Sequence, residues 1–210
     1  MKLIEMNVSD YLDLMASDAP APGGGSAAAL CGVQGAALAA MVAGLTIGRK
    51  KYAEFEENAL AVREAELALV EKLKAQIDKD TEAFNLVAAA FKLPKATDEE
   101  KAARSSAIQA ATLVAAQVPL ETMELALEAL RWAEKLLNGF NDSAASDLGV
   151  AAWNFMACIQ GAWLNVCINL GSLKDREKAD VLRTWGRKVL EDAMETASRL
   201  ASKADAAVGM

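Results

Sequence analysis

Residues 20–52 read PAPGGGSAAALCGVQGAALAAMVAGLTIGRKKY, and no charged residue interrupts them until Arg49. A run of this kind is a membrane span, a buried helix or a ligand site. The triple glycine after Pro20 and Pro22 breaks whatever precedes it. The alanine-rich remainder favours a helix from about Gly25 to Ile47. Gly32, Gly35, Ala36, Ala39, Ala40 and Ala43 are small enough for another helix to approach closely. Alanine and glycine contribute little to bilayer insertion, so a buried helix is preferred to a membrane span.

A second uncharged run, Leu148–Leu173, follows the polar loop NGFNDSAASD. Its Asn154, Gln160, Asn165 and Asn169 would be costly in lipid without partners. Both runs are expected to be buried helices at the centre of a soluble bundle that makes no membrane contact. A helix apolar all round in a small protein also implies cover from another subunit, so a homodimer or higher homo-oligomer is expected.

The rest of the chain is patterned for helix. Hydrophobic residues make up 53 % of the 210, but aromatics only 5 %. A short first helix is expected with Ser9 as its cap and Tyr11, Leu14 and Met15 on one face. A third helix is expected from near Ala53 to Phe91, and Thr97 with Glu100 forms a capping box for the next. Pro119 either kinks that helix or starts a new one, Gly139 is a stop, and Asp175 opens the last helix. No segment alternates as a strand does. The expectation is an all-α, single-domain bundle of long helices over residues 1–210.

A formal net charge of −7 leaves no basic surplus for a nucleic-acid partner. The chain has no histidine, so acid–base chemistry must fall to Asp, Glu, Lys, Tyr or Cys. Cys31, Cys158 and Cys167 all sit in apolar runs, which suits a reducing, cytoplasmic setting. The acidic start MKLIEMNVSDYLDLMASD does not read as a signal peptide.

Several residues are candidates for a site. Gly23, Gly24, Gly25 and Ser26 open a helix, where free N–H groups and the dipole suit an anion or a carbonyl oxygen, or form a plain cap. Arg49, Lys50 and Lys51 either complement the far end of the dipole or present a polarising charge and a carboxylate contact. Tyr52 can stack on a flat ring or donate a hydrogen bond. Asp80 precedes an apolar stretch, so its carboxylate is expected to be partly buried and to titrate high enough to act as a base. Asn141, Ser146 and Asp147 lie before the second uncharged helix. Asn165 and Asn169, four apart, share one of its faces.

The segments PAPGGGSAAA, LTIGRKKY, DTEAF, LPKATDEEKAAR, VPL, SDLGVAA and NVCINL together resemble the cyclodeaminase/cyclohydrolase family of folate enzymes, over essentially the whole chain. The likeness is greatest to the stand-alone methenyltetrahydrofolate cyclohydrolases, with no formiminotransferase domain expected. The resemblance implies an all-helical cytoplasmic oligomer whose substrate is a tetrahydrofolate derivative, with no metal and no redox cofactor. It implies hydrolysis of 5,10-methenyltetrahydrofolate to 10-formyltetrahydrofolate, with formiminotetrahydrofolate cyclodeamination or a non-catalytic folate-binding role as alternatives. Asp80 or Asp147 would then be the base, and Lys50 or Lys51 would orient water and stabilise developing charge. Asp147, Asn141, Asn165 and Asn169 would meet the pterin, and Arg49 or the glycine-rich turn the glutamate tail. Gly23 and Gly24 with an antiparallel partner's basic turn is one way to join ends of a helix about 35 Å long. The family pattern Gly-Asn-Xaa-Asn before Ser-Asp is altered here to Phe140-Asn141-Asp142-Ser143, with Gly139 one place early.

Overall fold

In the computed structural model, residues 2–209 form six α-helices: α1 Val8–Met15, α2 Gly24–Thr46, α3 Glu56–Phe91, α4 Asp98–Glu134, α5 Ala145–Ser172 and α6 Arg176–Val208. Among the described residues there is no strand. The chain is all-α. Helices α2, α3, α4 and α5 pack as a ring around a common core, and α6 covers α4 and α5.

Local chemistry sets the helix ends. The expected Ser9 cap is corrected by one turn's geometry: Asn7 caps α1, its Oδ1 accepting the Asp10 N–H at 2.9 Å. Thr97 and Glu100 form the expected capping box of α4, and Asp175 caps α6. The segment expected to begin α3 at Ala53 is instead a 3-10 turn, Lys50–Phe55, and α3 starts at Glu56.

Pro119 starts no new helix; it lies inside continuous α4. Proline has no N–H, so the Ala115 carbonyl one turn earlier loses its helical donor. The Asn169 side chain supplies one, donating to Ala115 O at 2.8 Å. A half-buried amide on α5 thus repairs the defect that α4 carries.

Helices α2 and α5 run antiparallel in close contact. At Gly35 an added Cβ would stand 2.8 Å from the Phe155 ring, which explains why no side chain is accepted there. Ala36, Ala39 and Ala43 are fully buried with Phe155, Ile159 and Leu148. Within one chain neither uncharged helix is buried all round. On α5, Val150, Trp153, Leu164 and Ile168 are 49, 65, 70 and 72 % exposed, and on α2 Met41 and Leu45 are also exposed. Each helix therefore has a core face and an apolar outer face. Among the described residues α2 is the helix long and apolar enough to cross a membrane, with about half of that stretch buried inside the fold.

Helices α3 and α4, at 36 and 37 residues, are much longer than α2 at 23. Their hairpin continues past the start of α2 as an arm.

Candidate active site

The triple glycine meets α3 at Asp80. The Ser26 N–H donates to Asp80 Oδ2 at 2.8 Å, and the Ser26 hydroxyl lies 3.0 Å from the same oxygen and 2.9 Å from the Ile77 carbonyl. Ser26 is fully buried. A Cβ on Gly25 would overlap the Asp80 carboxylate, so the glycine is what lets the carboxylate reach the helix start. The anion expected at this helix terminus is therefore a side chain of the protein itself.

Asp80 Oδ1 has no partner among the described residues and borders a cleft of about 270 Å³ lined by Pro20, Gly23, Gly24, Phe84, Asn165 and Asn169, among others. Burial raises the Asp80 pKa, and the two hydrogen bonds from Ser26 oppose that rise. Asn169 spends both amide N–H groups on the Ala115 and Asn165 main-chain carbonyls, and Asn165 spends one on the Gly161 carbonyl. Their carbonyl oxygens are left as acceptors on the cleft wall. Gly24 and Gly25 N–H groups, with no acceptor among the described residues, supply donors.

The Tyr11 hydroxyl is buried without a hydrogen-bond partner. Its pKa is pushed up to about 12, mainly by burial and next by the Asp80 charge. Sequence reasoning placed Tyr11 only as a packing residue.

The other expected site residues lie elsewhere. Helix α2, at 23 residues, is about 33 Å long, and Arg49, Lys50, Lys51 and Tyr52 stand at its far end. The Lys51 ammonium pairs with Asp142 Oδ2 at 2.7 Å. The Tyr52 hydroxyl donates to the same carboxylate at 3.1 Å and accepts the Asp142 N–H at 3.2 Å. Asn141 donates its N–H to Thr46 Oγ1 at 3.0 Å and its amide to the Leu45 carbonyl at 3.1 Å. The altered loop is thus a latch on the end of α2. Within it Tyr52 is buried, so its ring has no free face for stacking. Their hydrogen bond raises the Lys51 pKa and lowers that of Asp142. Asp142 and Thr46 were not singled out from the sequence; an aspartate in the polar loop was the available signal.

Arg49 and Lys50 are exposed, with no hydrogen bond or ion pair among the described residues. Ser146 is exposed, and Asp147 lies in the first turn of α5, where it suits the dipole but caps nothing: the cap position is Ala144. Within one chain, the carboxylate, glycine turn and amides of one end are brought together. The basic turn, Asn141, Ser146 and Asp147 form a second group that does not reach them.

A wider groove of about 560 Å³ runs between α4 and α6. Most of its charged and aromatic groups are already matched within the fold. Lys135 sits 3.3 Å from the centre of the Trp132 ring, Trp185 bonds Glu124, and Arg131 pairs with Asp192. The smaller cleft groups an unpaired carboxylate oxygen with amide oxygens and helix-start N–H groups, so the candidate site is placed there.

A bundle of long helices with a carboxylate seated on a glycine-rich helix start, facing amide acceptors, defines an all-α protein with a polar cleft. Residues 7–188 match the family described as formiminotransferase-cyclodeaminase, and the chain belongs to that family. It is 44 % identical over 173 residues to the methenyltetrahydrofolate cyclohydrolase of Methylorubrum extorquens, covering 82 % of this chain and 83 % of that one. It is 32 % identical to the formimidoyltransferase-cyclodeaminase of Rattus norvegicus over 95 % of this chain, but spans only 36 % of that longer protein. The crystal structure of formiminotetrahydrofolate cyclodeaminase from Thermotoga maritima superposes with a TM-score of 0.80 at 28 % identity, over 98 % of this chain and 97 % of that one.

Proposed function

We propose that this protein is a methenyltetrahydrofolate cyclohydrolase of one-carbon metabolism, hydrolysing 5,10-methenyltetrahydrofolate to 10-formyltetrahydrofolate. The observation that carries this reading is Asp80: one oxygen is held by Ser26, and the other faces the cleft. Water attacks the cationic carbon between N5 and N10 while Asp80 takes its proton. The tetrahedral adduct then collapses. The C–N5 bond breaks, N5 receives the proton from Asp80, and the hydroxyl proton is lost as the C=O bond forms. One proton is released overall. The Asn165 and Asn169 carbonyls suit the donors of the pterin edge, and the Gly24 and Gly25 N–H groups suit its carbonyl. The reaction needs no metal and no redox cofactor.

The basic turn joins this site if two chains pack antiparallel through the apolar faces of α2 and α5. Such a homodimer covers Met41, Leu45, Trp153 and Leu164. It also brings Arg49 and Lys50 of one chain toward the Asp80 cleft of the other. Lys50 is then the polarising charge, because Lys51 is spent on Asp142. Free cysteines fit a cytoplasmic setting. Light scattering at the mass of a monomer would remove the shared site.

The second reading is cyclodeamination, favoured by the likeness to the Thermotoga maritima enzyme. Both reactions pass through a tetrahedral carbon between N5 and N10, so one cleft can serve either. Loss of the methenyl chromophore measured beside ammonia release from formiminotetrahydrofolate separates them. The first should exceed a buffer blank, and the second should not.

A further inference from the structure

The cleft does not end at Asp80. Phe84 and Val87 line it, and Phe91, eleven positions after Asp80, lies on the same side of α3, about 16 Å further along the arm. Phe84 and Phe91 are 40 and 54 % exposed. On α4, Ala115 lines the cleft, and Arg104, eleven positions earlier, lies on the same side and stands over the Phe91 ring at 5.4 Å.

The Arg104 Nε and Nη2 both donate to the Phe91 carbonyl, at 3.3 and 3.0 Å. Nη1 has no partner among the described residues. The turn after α5 closes the same end: Gln109 bonds the Ser172 carbonyl and the Lys174 N–H, and the Lys174 ammonium bonds Ser105 Oγ at 2.7 Å. By helix periodicity the wall of the cleft thus continues as a trough from Asp80 past two aromatic rings to Arg104, with Lys174 beside it.

We propose that this trough binds the aminobenzoyl-glutamate half of a reduced folate, with the aromatic ring against Phe84 and Phe91 and the glutamate carboxylate on Arg104. The assignment rests on the folate reading above. It replaces the two tail sites expected from the sequence. At the glycine turn the Asp80 carboxylate already occupies the helix start, and a second carboxylate there would meet like charge. Arg49 of the same chain stands at the other end of α2, and Arg49 of a second copy is the competing site that the Arg49→Ala arm below tests. A planar guanidinium beside an aromatic wall matches a carboxylate that follows a benzoyl ring.

The test is calorimetric binding of tetrahydrofolate and of tetrahydropteroate, the same molecule without glutamate, to wild type, Arg104→Ala, Arg104→Lys and Arg49→Ala. Neither compound carries the one-carbon unit, so binding is read without turnover. Wild type should prefer tetrahydrofolate by roughly tenfold to a hundredfold. Arg104→Ala should bring that ratio near one, and Arg104→Lys should restore part of it. A ratio unchanged in Arg104→Ala, or lost in Arg49→Ala instead, overturns the assignment; a lower melting temperature alone would mark Arg104 as only a cap on α3. Preference without any turnover of methenyltetrahydrofolate would sink the cyclohydrolase and keep the tail site. Binding of neither compound sinks both.

Discussion

Ser26 and Asp80 are 54 residues apart in sequence, yet the Ser26 N–H and hydroxyl both lie within 3.0 Å of Asp80 Oδ2. That contact ties the start of α2 to the middle of α3 and turns one oxygen of Asp80 toward the cleft. Because burial raises the Asp80 pKa, the base is lost by protonation at a higher pH than an ordinary aspartate would be. The acid limb of the pH–rate profile should therefore lie above the usual aspartate range. Ser26→Ala removes the hydroxyl donor and keeps the N–H, and should move that limb further up. A limb that stays put in Ser26→Ala would separate Ser26 from the titrating group.

Glu66 is fully buried on α3, and neither carboxylate oxygen has a side-chain hydrogen-bond partner. Burial raises its pKa well above the usual value, with Glu128 adding to the rise. The folded state thus binds a proton that the unfolded state releases above its ordinary pKa of about 4.3. Stability from this group is full below that pH and falls as pH rises toward the folded pKa. Glu66→Gln should raise the melting temperature at pH 8 by at least about 2 °C, and the gain should vanish near pH 4. An equal shift at both pH values would contradict a protonated Glu66.

The latch at the far end of α2 divides its lysines. Lys51→Ala should change turnover little and melt near wild type, because its pairing with Asp142 is exposed to solvent. Lys50→Ala should lower kcat by on the order of a hundredfold, with the melting temperature unchanged. Steady-state kinetics on both variants decide the matter; the reverse order would place Lys51 at the partner's cleft.

Asn169 repairs the carbonyl that Pro119 leaves open. Asn169→Leu should destabilise the fold by about 1–3 kcal/mol, the cost of an unsatisfied buried acceptor. Adding Pro119→Ala returns an N–H to Ala115 and should recover part of the loss. Urea midpoints of the single and double variants measure this, and strict additivity would break the link.

The helices were legible because alanine content, the Thr97–Glu100 box and Asp175 act locally. Asp80 was legible as a carboxylate at the edge of an apolar stretch. What it touches was not, because the Ser26 contact depends on how α2 crosses α3. Asn165 and Asn169 read as one face, but the reason for Asn169 lies at Pro119 on another helix. The periodicity that predicts a long α2 already separates the basic turn from the glycine turn within one chain; that Asp142 takes up Lys51 and Tyr52 was not legible, because it depends on where the loop before α5 lands. Phe55–Glu56 departed from the expected helix start because the chain must turn after Gly48, whose φ is +72°, before α3 can begin.

The central claim is that Asp80 is the base. The decisive measurement is the rate of methenyltetrahydrofolate decay with wild type and Asp80→Asn, at equal protein and with melting temperatures recorded. The account predicts enzyme-dependent decay in wild type that falls by on the order of a hundredfold or more in the folded variant. Decay in Asp80→Asn at the wild-type rate would contradict it.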